Sequence, residues 1–422
     1  MMRGRAAAVA LAVTTMLVGG ARAGEAAPAW TVVASPNGGA GINLLQGVSC
    51  VTASDCWAVG STFNAGAYRT IVEHDAGDGW RLVDGPNPGA SNVLHAVACP
   101  AANDCTAVGY DAPVTGGAWK TLIAHYDGRT WAIVPSPPTG GAQVLEAISC
   151  RTATDCWAVG GPGPLVEHDS GSGWKLVSSA QNGGELTGVA CGGPDDCWGV
   201  GNTALVHGDG QPLIMHGGSS GWTAVAAPSL GAAEQGGGFH SIACASATEC
   251  WAVGGWWKFR SPNQTLVERG GATGWSVVNS PDVAGGLDNL RAVACSSDRC
   301  RSGGGSSLPG KPLILQESAG TWTLDRTADA PSDAFSLWGL ACTPQGQCWA
   351  VGQHGAAGGG PQQTLIMSNQ GSSSAPVPGA ATAAPGAAGG GVPWALLGAG
   401  AGGVVVVAAV WLTKRRGRRA IG

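Results

Sequence analysis

Apolar and small residues recur along most of this chain in short bursts separated by polar turns, and the bursts follow one grammar. An apolar residue, two variable ones, Val or Ile, a small residue and cysteine make the first burst, as in Leu94-His95-Ala96-Val97-Ala98-Cys99. A polar turn containing Asp or Glu leads to a second cysteine and then to Trp-Ala-Val-Gly, at Trp57–Gly60, Trp157–Gly160, Trp251–Gly254 and Trp349–Gly352. Two short apolar runs across a tight polar turn predict a β-hairpin. A third run such as Thr121–His125 follows, then a turn with Asp and Gly, then Trp131–Val134 closed off by Pro135. Four strands in about fifty residues predict one blade of a β-propeller.

The cysteines count the blades. They fall as Cys50/Cys56, Cys99/Cys105, Cys150/Cys156, Cys191/Cys197, Cys244/Cys250, Cys295/Cys300 and Cys342/Cys348, with first members 41 to 53 residues apart. Seven pairs predict an all-β, seven-bladed propeller. Fourth strands begin at Trp30, Trp80, Trp131, Trp174, Trp222, Trp275 and Trp322, so the first precedes every cysteine, while the last unit runs through Thr364–Met367 with no fourth strand of its own. The strand Trp30–Val33 is therefore expected to complete blade seven, hiding an edge that could otherwise template aggregation. In an exported chain, pairs this close read as disulfides across hairpin mouths, each worth about 2 kcal/mol of chain entropy. Repeated zinc sites would need further ligands in register, and the histidines do not recur in all seven units, so neither a metal nor a cofactor is expected.

The ends change the picture from fold to location. Arg3 and Arg5, an apolar run Ala6–Val18 and the small-x-small Ala21-Arg22-Ala23 read as a signal peptide over residues 1–23. The propeller is expected over 24–371, and an uncharged Ala/Gly/Pro/Ser stalk over 372–391. Val392–Leu412 is 21 residues without a charge, the length of a transmembrane helix, and Lys414, Arg415, Arg416, Arg418 and Arg419 follow in a basic tail over 413–422. Positive charge marks the cytoplasmic side, so a single-pass cell-membrane protein with an extracellular propeller is expected. Gly398 and Gly402 form a small-xxx-small pair through which two such helices could dimerise. Of 22 Lys and Arg, three leave with the leader and five lie in the tail, which leaves 14 against 27 Asp and Glu, a balance of −13. That surface repels phosphate backbones and argues against nucleic-acid binding.

Chemistry is expected where the repeat is irregular. The residue after the first apolar position of each inner strand is Gln46, His95, Glu146, Thr187, His240, Arg291 or Trp338, and its neighbours repeat while it does not. Placed at the channel mouth, these polar and dissimilar groups meet the requirement of a ligand pocket, although a wet channel mouth would also tolerate them. A catalytic version would use Glu146 as base, His95 or His240 within reach and Arg291 on an anion. A second candidate is the aromatic and basic group Trp256, Trp257, Lys258, Phe259 and Arg260, expected in the loop between strands two and three of blade five. Trp119 with Lys120, and Phe63, Tyr68 and Arg69, occupy corresponding loops of blades two and one, so this face gathers aromatics suited to a sugar ring or a protein anchor. The disulfide hairpins lie on the opposite, scaffold face. The twelve tryptophans at the repeated positions read as packing, and His74, His125, His168 and His216, at one repeated third-strand position, as architecture.

The repeat Ser-Cys, Asp-Cys-Trp-Ala-Val-Gly, Thr-Leu-Val-Glu-His, Trp-x-x-Val-x-Ser-Pro resembles repeats of uncharacterised secreted actinobacterial proteins over nearly all of residues 30–371. The turns Asp75-x-Gly77-x-x-Trp80 and Asp169-x-Gly171-x-x-Trp174 look like partial Asp-boxes of the sialidase and photosystem-assembly-factor type. The resemblance implies architecture and carries no activity with it. With only Tyr68, Tyr110 and Tyr126, none on an inner strand, a sialidase nucleophile is not expected. The sequence thus favours a cell-surface protein binding a glycan or protein ligand, ahead of an extracytoplasmic hydrolase or lyase and of a structural envelope or assembly factor.

Overall fold

A computed structural model describes residues 30–113, 117–179, 183–203, 210–228, 235–258, 261–283, 288–297, 299–306, 312–325, 334–355 and 360–370. The expected leader, stalk, span and tail, with Gly398 and Gly402, lie outside these residues, as do Phe259 and Arg260. The chain divides into two compact units, Met1–Ser374 and Ala375–Gly422, and every described residue lies in the first. Among the described residues no helix is long and apolar enough to cross a membrane.

The repeat builds seven four-stranded antiparallel sheets, each in simple sequential order except the last. In blade one Ile42–Thr52 pairs with Asp55–Asn64, that with Ala67–Asp75, and that with Trp80–Val83. Blade seven is completed from the other end of the chain: Thr31–Val33 pairs with Gln363–Ser368, Thr31 opposite Ser368 and Val33 opposite Ile366. Trp30, with no exposed surface, donates its indole N–H to Asp325 Oδ2 of blade six at 2.9 Å, so the closing strand is held on both sides.

Hydrophobic packing lies in the seams between blades. Each of seven buried clusters joins two neighbours; between blades one and two Trp57, Val59 and Val72 pack on Leu94, Ala107, Leu122 and Trp131. Burying side chains of this size contributes ~1.5–3 kcal/mol each, which explains why Trp and branched aliphatics hold the repeated positions in a chain otherwise rich in Gly and Ala.

All seven cysteine pairs are disulfides with Cα atoms 3.9 to 4.1 Å apart across the hairpins. The bridges close the hairpins as expected, and their setting adds a second role. The second member of each pair, Cys56, Cys105, Cys156, Cys197, Cys250, Cys300 or Cys348, is buried, with at most 3% of its surface exposed. Each belongs to the hydrophobic cluster of a seam, and its partner packs against the same cluster from a partly buried position. The reason is topological, because the second cysteine opens a strand flanked on both sides by others of its blade, and the neighbouring blade covers its face. These seven cysteines are therefore core residues of the seams.

The repeated histidines are part of this scaffold. Trp57 stacks on His74 at 3.9 Å, and His74 Nε2 meets Asp55 at 2.9 Å; Trp157, His168 and Asp155 repeat the sandwich, as do Trp198, His216 and Asp196. Blade five replaces it with Arg269 over Trp251, tied to Glu249 at 3.0 Å. The Asp-box-like turns are local as well: Asp75 Oδ1 accepts from the N–H groups of Gly77 and Gly79, and Asp169 from those of Gly171 and Gly173.

Candidate functional site at the channel mouth

Every inner strand carries a β-bulge, and the extra residue is the one whose identity varies. Pairing with the second strand jumps between Leu45 and Gly47, Leu94 and Ala96, Leu145 and Ala147, Leu186 and Gly188, Phe239 and Ser241, Leu290 and Ala292, and Leu337 and Gly339. The skipped residues are Gln46, His95, Glu146, Thr187, His240, Arg291 and Trp338. A bulge re-aims a side chain, and here it does so seven times around one axis.

The glycine ending each Trp-Ala-Val-Gly run makes this possible. Gly160 faces Leu145, and a Cβ on it would lie 1.9 Å from the Val144 carbonyl oxygen; at Gly60, Gly109, Gly201, Gly254, Gly304 and Gly352 the same contact would be 1.9 to 2.0 Å. No side chain fits there. The repeated glycine therefore permits the bulge, and the bulge presents the irregular residue.

The bulge residues form a connected series. His95 Nδ1 donates to Glu146 Oε2 at 2.9 Å and faces the Leu145 carbonyl at 3.1 Å, linking blades two and three. Burial alone would lower the His95 pKa, but the Glu146 carboxylate and the Leu145 carbonyl together outweigh it and raise it. Burial works against the Glu146 carboxylate too, yet the His95 pair, with His240 beyond it, brings its pKa below the ordinary value. His240 Nε2 accepts from Asn289 Nδ2 at 3.1 Å. Burial, reinforced by the nearby Arg291 charge, pushes the His240 pKa down to about 4, so this imidazole is neutral at physiological pH. Arg291 lies 3.8 Å over the Trp338 ring, and burial lowers its pKa to about 10, which leaves it charged. Thr187 is spent on structure: its hydroxyl donates to the Phe239 carbonyl at 2.7 Å.

Residues following the repeated glycine complete the mouth, and they were not singled out from the sequence. Tyr110 stands edge-on to His95 at 5.5 Å and stacks on Trp119 at 5.0 Å. Burial and the neighbouring Tyr68 and Glu146 push its hydroxyl pKa up to about 12. Asn202 donates to Glu185 at 3.2 Å, and burial, only partly offset by that bond, raises the Glu185 pKa. A signal for them exists: the position after glycine reads Ser61, Tyr110, Gly161, Asn202, Gly255, Gly305 and Gln353, so it too departs from the repeat in four blades.

The second candidate group is arranged differently from expectation. Trp256 and Trp257 lie in the strand Glu249–Lys258 rather than in a loop, opposite Gly237 and Gly236 of the lengthened inner strand Gln235–Ser246. The glycines make room for the indoles: a Cβ on Gly236 would fall 2.6 Å from the Trp257 ring. Trp256 packs on the seam between blades four and five. Of Lys258 only the backbone is described. Phe63, Tyr68 and Arg69 likewise belong to strands, joined by the turn Ala65-Gly66; Tyr68 is 39% exposed and 4.8 Å from Phe63, while Arg69 donates to the Gly89 carbonyl. A cavity of about 330 Å³ lies at the disulfide end, lined by small residues such as Ser49, Ser149, Ala190, Ala243, Ala294 and Ala341. It offers no titratable side chain. Among the described residues no group of three His, Cys, Asp or Glu could hold a metal ion.

No family model matches this chain, and no curated protein does. Solved structures do. A structure of YCF48 bound to D1 peptide aligns with a TM-score of 0.52 at 14% identity over 81% of this chain and 97% of that one. YCF48 from Cyanidioschyzon merolae aligns with a TM-score of 0.50 at 13% identity over 80% and 98%. The RRP9 WD40 repeats align with a TM-score of 0.50 at 11% identity over 81% and 98%. At these identities the likeness establishes the propeller fold, in agreement with the photosystem-assembly-factor-like turns.

Proposed function

We propose that this chain is a cell-surface recognition protein, tethered by its C-terminal apolar segment, that binds a protein ligand through the face bearing the bulges. The observation that carries the reading is the repeated bulge: a repetitive scaffold presents Gln46, His95, Glu146, Thr187, His240, Arg291 and Trp338 at one repeat position, a chemically mixed set of the kind a specific pocket requires. Propellers of similar fold bind peptides, as the D1 peptide on YCF48 illustrates, and a ring of independent blades suits that use.

A glycan is the less favoured ligand, because four of the aromatics expected to stack on sugars each have a ring engaged within the chain. Trp119 covers Tyr110, Trp338 lies beneath Arg291, Trp257 lies over Gly236 and Trp256 packs on a seam. Hydrolase or lyase chemistry has one observation in its favour, the His95–Glu146 pair, which fixes one ring nitrogen and leaves the other for proton transfer.

The test is capture of binding partners from the cell surface by the full chain, compared with Tyr68→Ala and Trp338→Ala variants and with Lys175→Ala on the opposite face. Loss with the first two and retention with the third is the expected pattern. Equal capture by all variants would remove the bulge face from consideration. Turnover of ester or glycoside substrates that disappears in Glu146→Gln would shift the reading to catalysis.

A further inference from the structure

Arg291 differs from the other charged groups at the channel mouth in having neither a hydrogen-bond nor an ion-pair partner among the described residues. Glu146 has His95 at 2.9 Å, and Glu185 has Asn202 at 3.2 Å. The Arg291 guanidinium rests on the Trp338 ring at 3.8 Å and makes no hydrogen bond or ion pair with any described residue. His240, the next bulge residue round the ring, is kept neutral and adds no charge of its own.

A guanidinium carries five N–H donors in one plane. Seated 3.8 Å from the indole centroid, the guanidinium is braced by the ring, and the contact restrains a fork that would otherwise need ordering when a ligand arrives. Its half-buried position weakens competition from water while leaving it reachable from the mouth. This is the setting in which a planar, two-oxygen anion gains most from a paired bond.

Building on the protein-binding reading above, we propose that Arg291, braced by Trp338, is the anchor for a single carboxylate carried by an extended peptide segment of the ligand. The overall balance of −13 outside the leader and tail narrows the class further. A polyacid would be repelled by the body of the propeller before reaching one arginine, whereas a lone carboxylate among neutral or basic residues would not. Acidic polysaccharides and phosphorylated polymers are disfavoured on the same ground.

The experiment uses the full chain and two matched hexapeptide libraries, one with glutamate and one with glutamine at a fixed central position, all other positions being neutral or basic. The expected result is a preference of about tenfold or more for the glutamate library, reduced in Arg291→Lys and abolished in Arg291→Gln. Titration of ¹⁵N-arginine-labelled wild-type chain with acetate gives a readout that needs no variant to fold, and the Arg291 Nε–Hε signal is expected to move. Both libraries binding equally, with that signal unmoved by acetate, would overturn the anchor while leaving protein recognition intact. A moving signal with neither library bound would uphold the anion site and overturn the peptide ligand. Selective binding of oligogalacturonate, used as a third probe, would likewise replace the peptide with an acidic sugar.

Discussion

His95 Nδ1 of blade two lies 2.9 Å from Glu146 Oε2 of blade three, so two residues 51 positions apart are joined only because each sits on the bulge of its own inner strand. The pair ties neighbouring blades at the one level of the ring where side chains differ. Its pH behaviour follows from the two opposite shifts. The raised His95 pKa contributes stability that is complete below the ordinary histidine value and is lost as pH rises through the folded one. The lowered Glu146 pKa contributes stability present above the ordinary carboxylate value and lost as pH falls through the folded one. Glu146→Gln is therefore expected to cost about 1–3 kcal/mol, most between pH 4.5 and 6.5, and to lower the His95 pKa. Thermal melts across that window and an imidazole NMR titration check it.

Three fully buried glutamates make the seams sensitive to pH. Burial raises Glu73 and Glu268 to a pKa of about 8 and Glu167 to about 7, from an ordinary 4.5. Between those values the folded chain holds protons that the unfolded chain has released, so stability falls as pH rises. The melting temperature is expected to be higher near pH 5 than near pH 8.5 on account of these groups. Glu73→Gln, which cannot ionise, should flatten part of that slope.

The same three residues differ in partners. Glu73 is held by Ser35, itself bonded to Thr364, and Glu167 by Ser136, but neither oxygen of Glu268 has a hydrogen-bond partner among the described residues. Blade four has Pro212 and Ala227 at the positions where the blades beside Glu73 and Glu167 place Thr364 with Ser35 and Thr121 with Ser136. At the equivalent third-strand position, blades four and six carry Met215 and Leu315, both buried. Glu268→Met is expected to stabilise the chain by about 1–3 kcal/mol at pH 8, whereas Glu73→Met, which strands Ser35, should destabilise it. Chemical denaturation of the two variants side by side decides the matter.

Gly160 tests the link between glycine and bulge. In Gly160→Ala the new methyl meets the Val144 carbonyl at 1.9 Å, and relief requires the inner strand to move where Glu146 is presented. A loss of about 3 kcal/mol is expected, together with a shift in the His95 imidazole resonances. Lost stability with unchanged His95 signals would separate the glycine from the bulge.

Trp30 tests the closure. It has no exposed surface and joins blades six and seven through packing and the Asp325 bond. Trp30→Ala is expected to cost about 3–5 kcal/mol. Denaturation should show whether blade seven is lost with the ring or ahead of it.

The repeat period, the cysteine pairs, the Trp spacing and the missing last strand were all legible because each is local or periodic: hairpins, blades and a strand count follow from neighbours in the chain. The bulge positions were legible as irregularity, and the sequence alone identified which residues vary there. What only the tertiary structure decided is how those residues are used. Thr187 and Arg291 occupy the same repeat position, yet one hydroxyl is consumed by the Phe239 carbonyl while the other side chain rests on a ring and has no ion-pair partner among the described residues. Trp256 and Trp257 looked like loop residues, and only the pairing with Gly237 and Gly236 made them part of a lengthened strand. The spacing paired Cys56 with Cys50, but the burial of Cys56 needed the blade beside it. Distances and partners across seams join residues some fifty positions apart, and they depend on how neighbouring blades pack and on where each bulge points its side chain. Those relations are set by the closed ring, so they are absent from any single repeat.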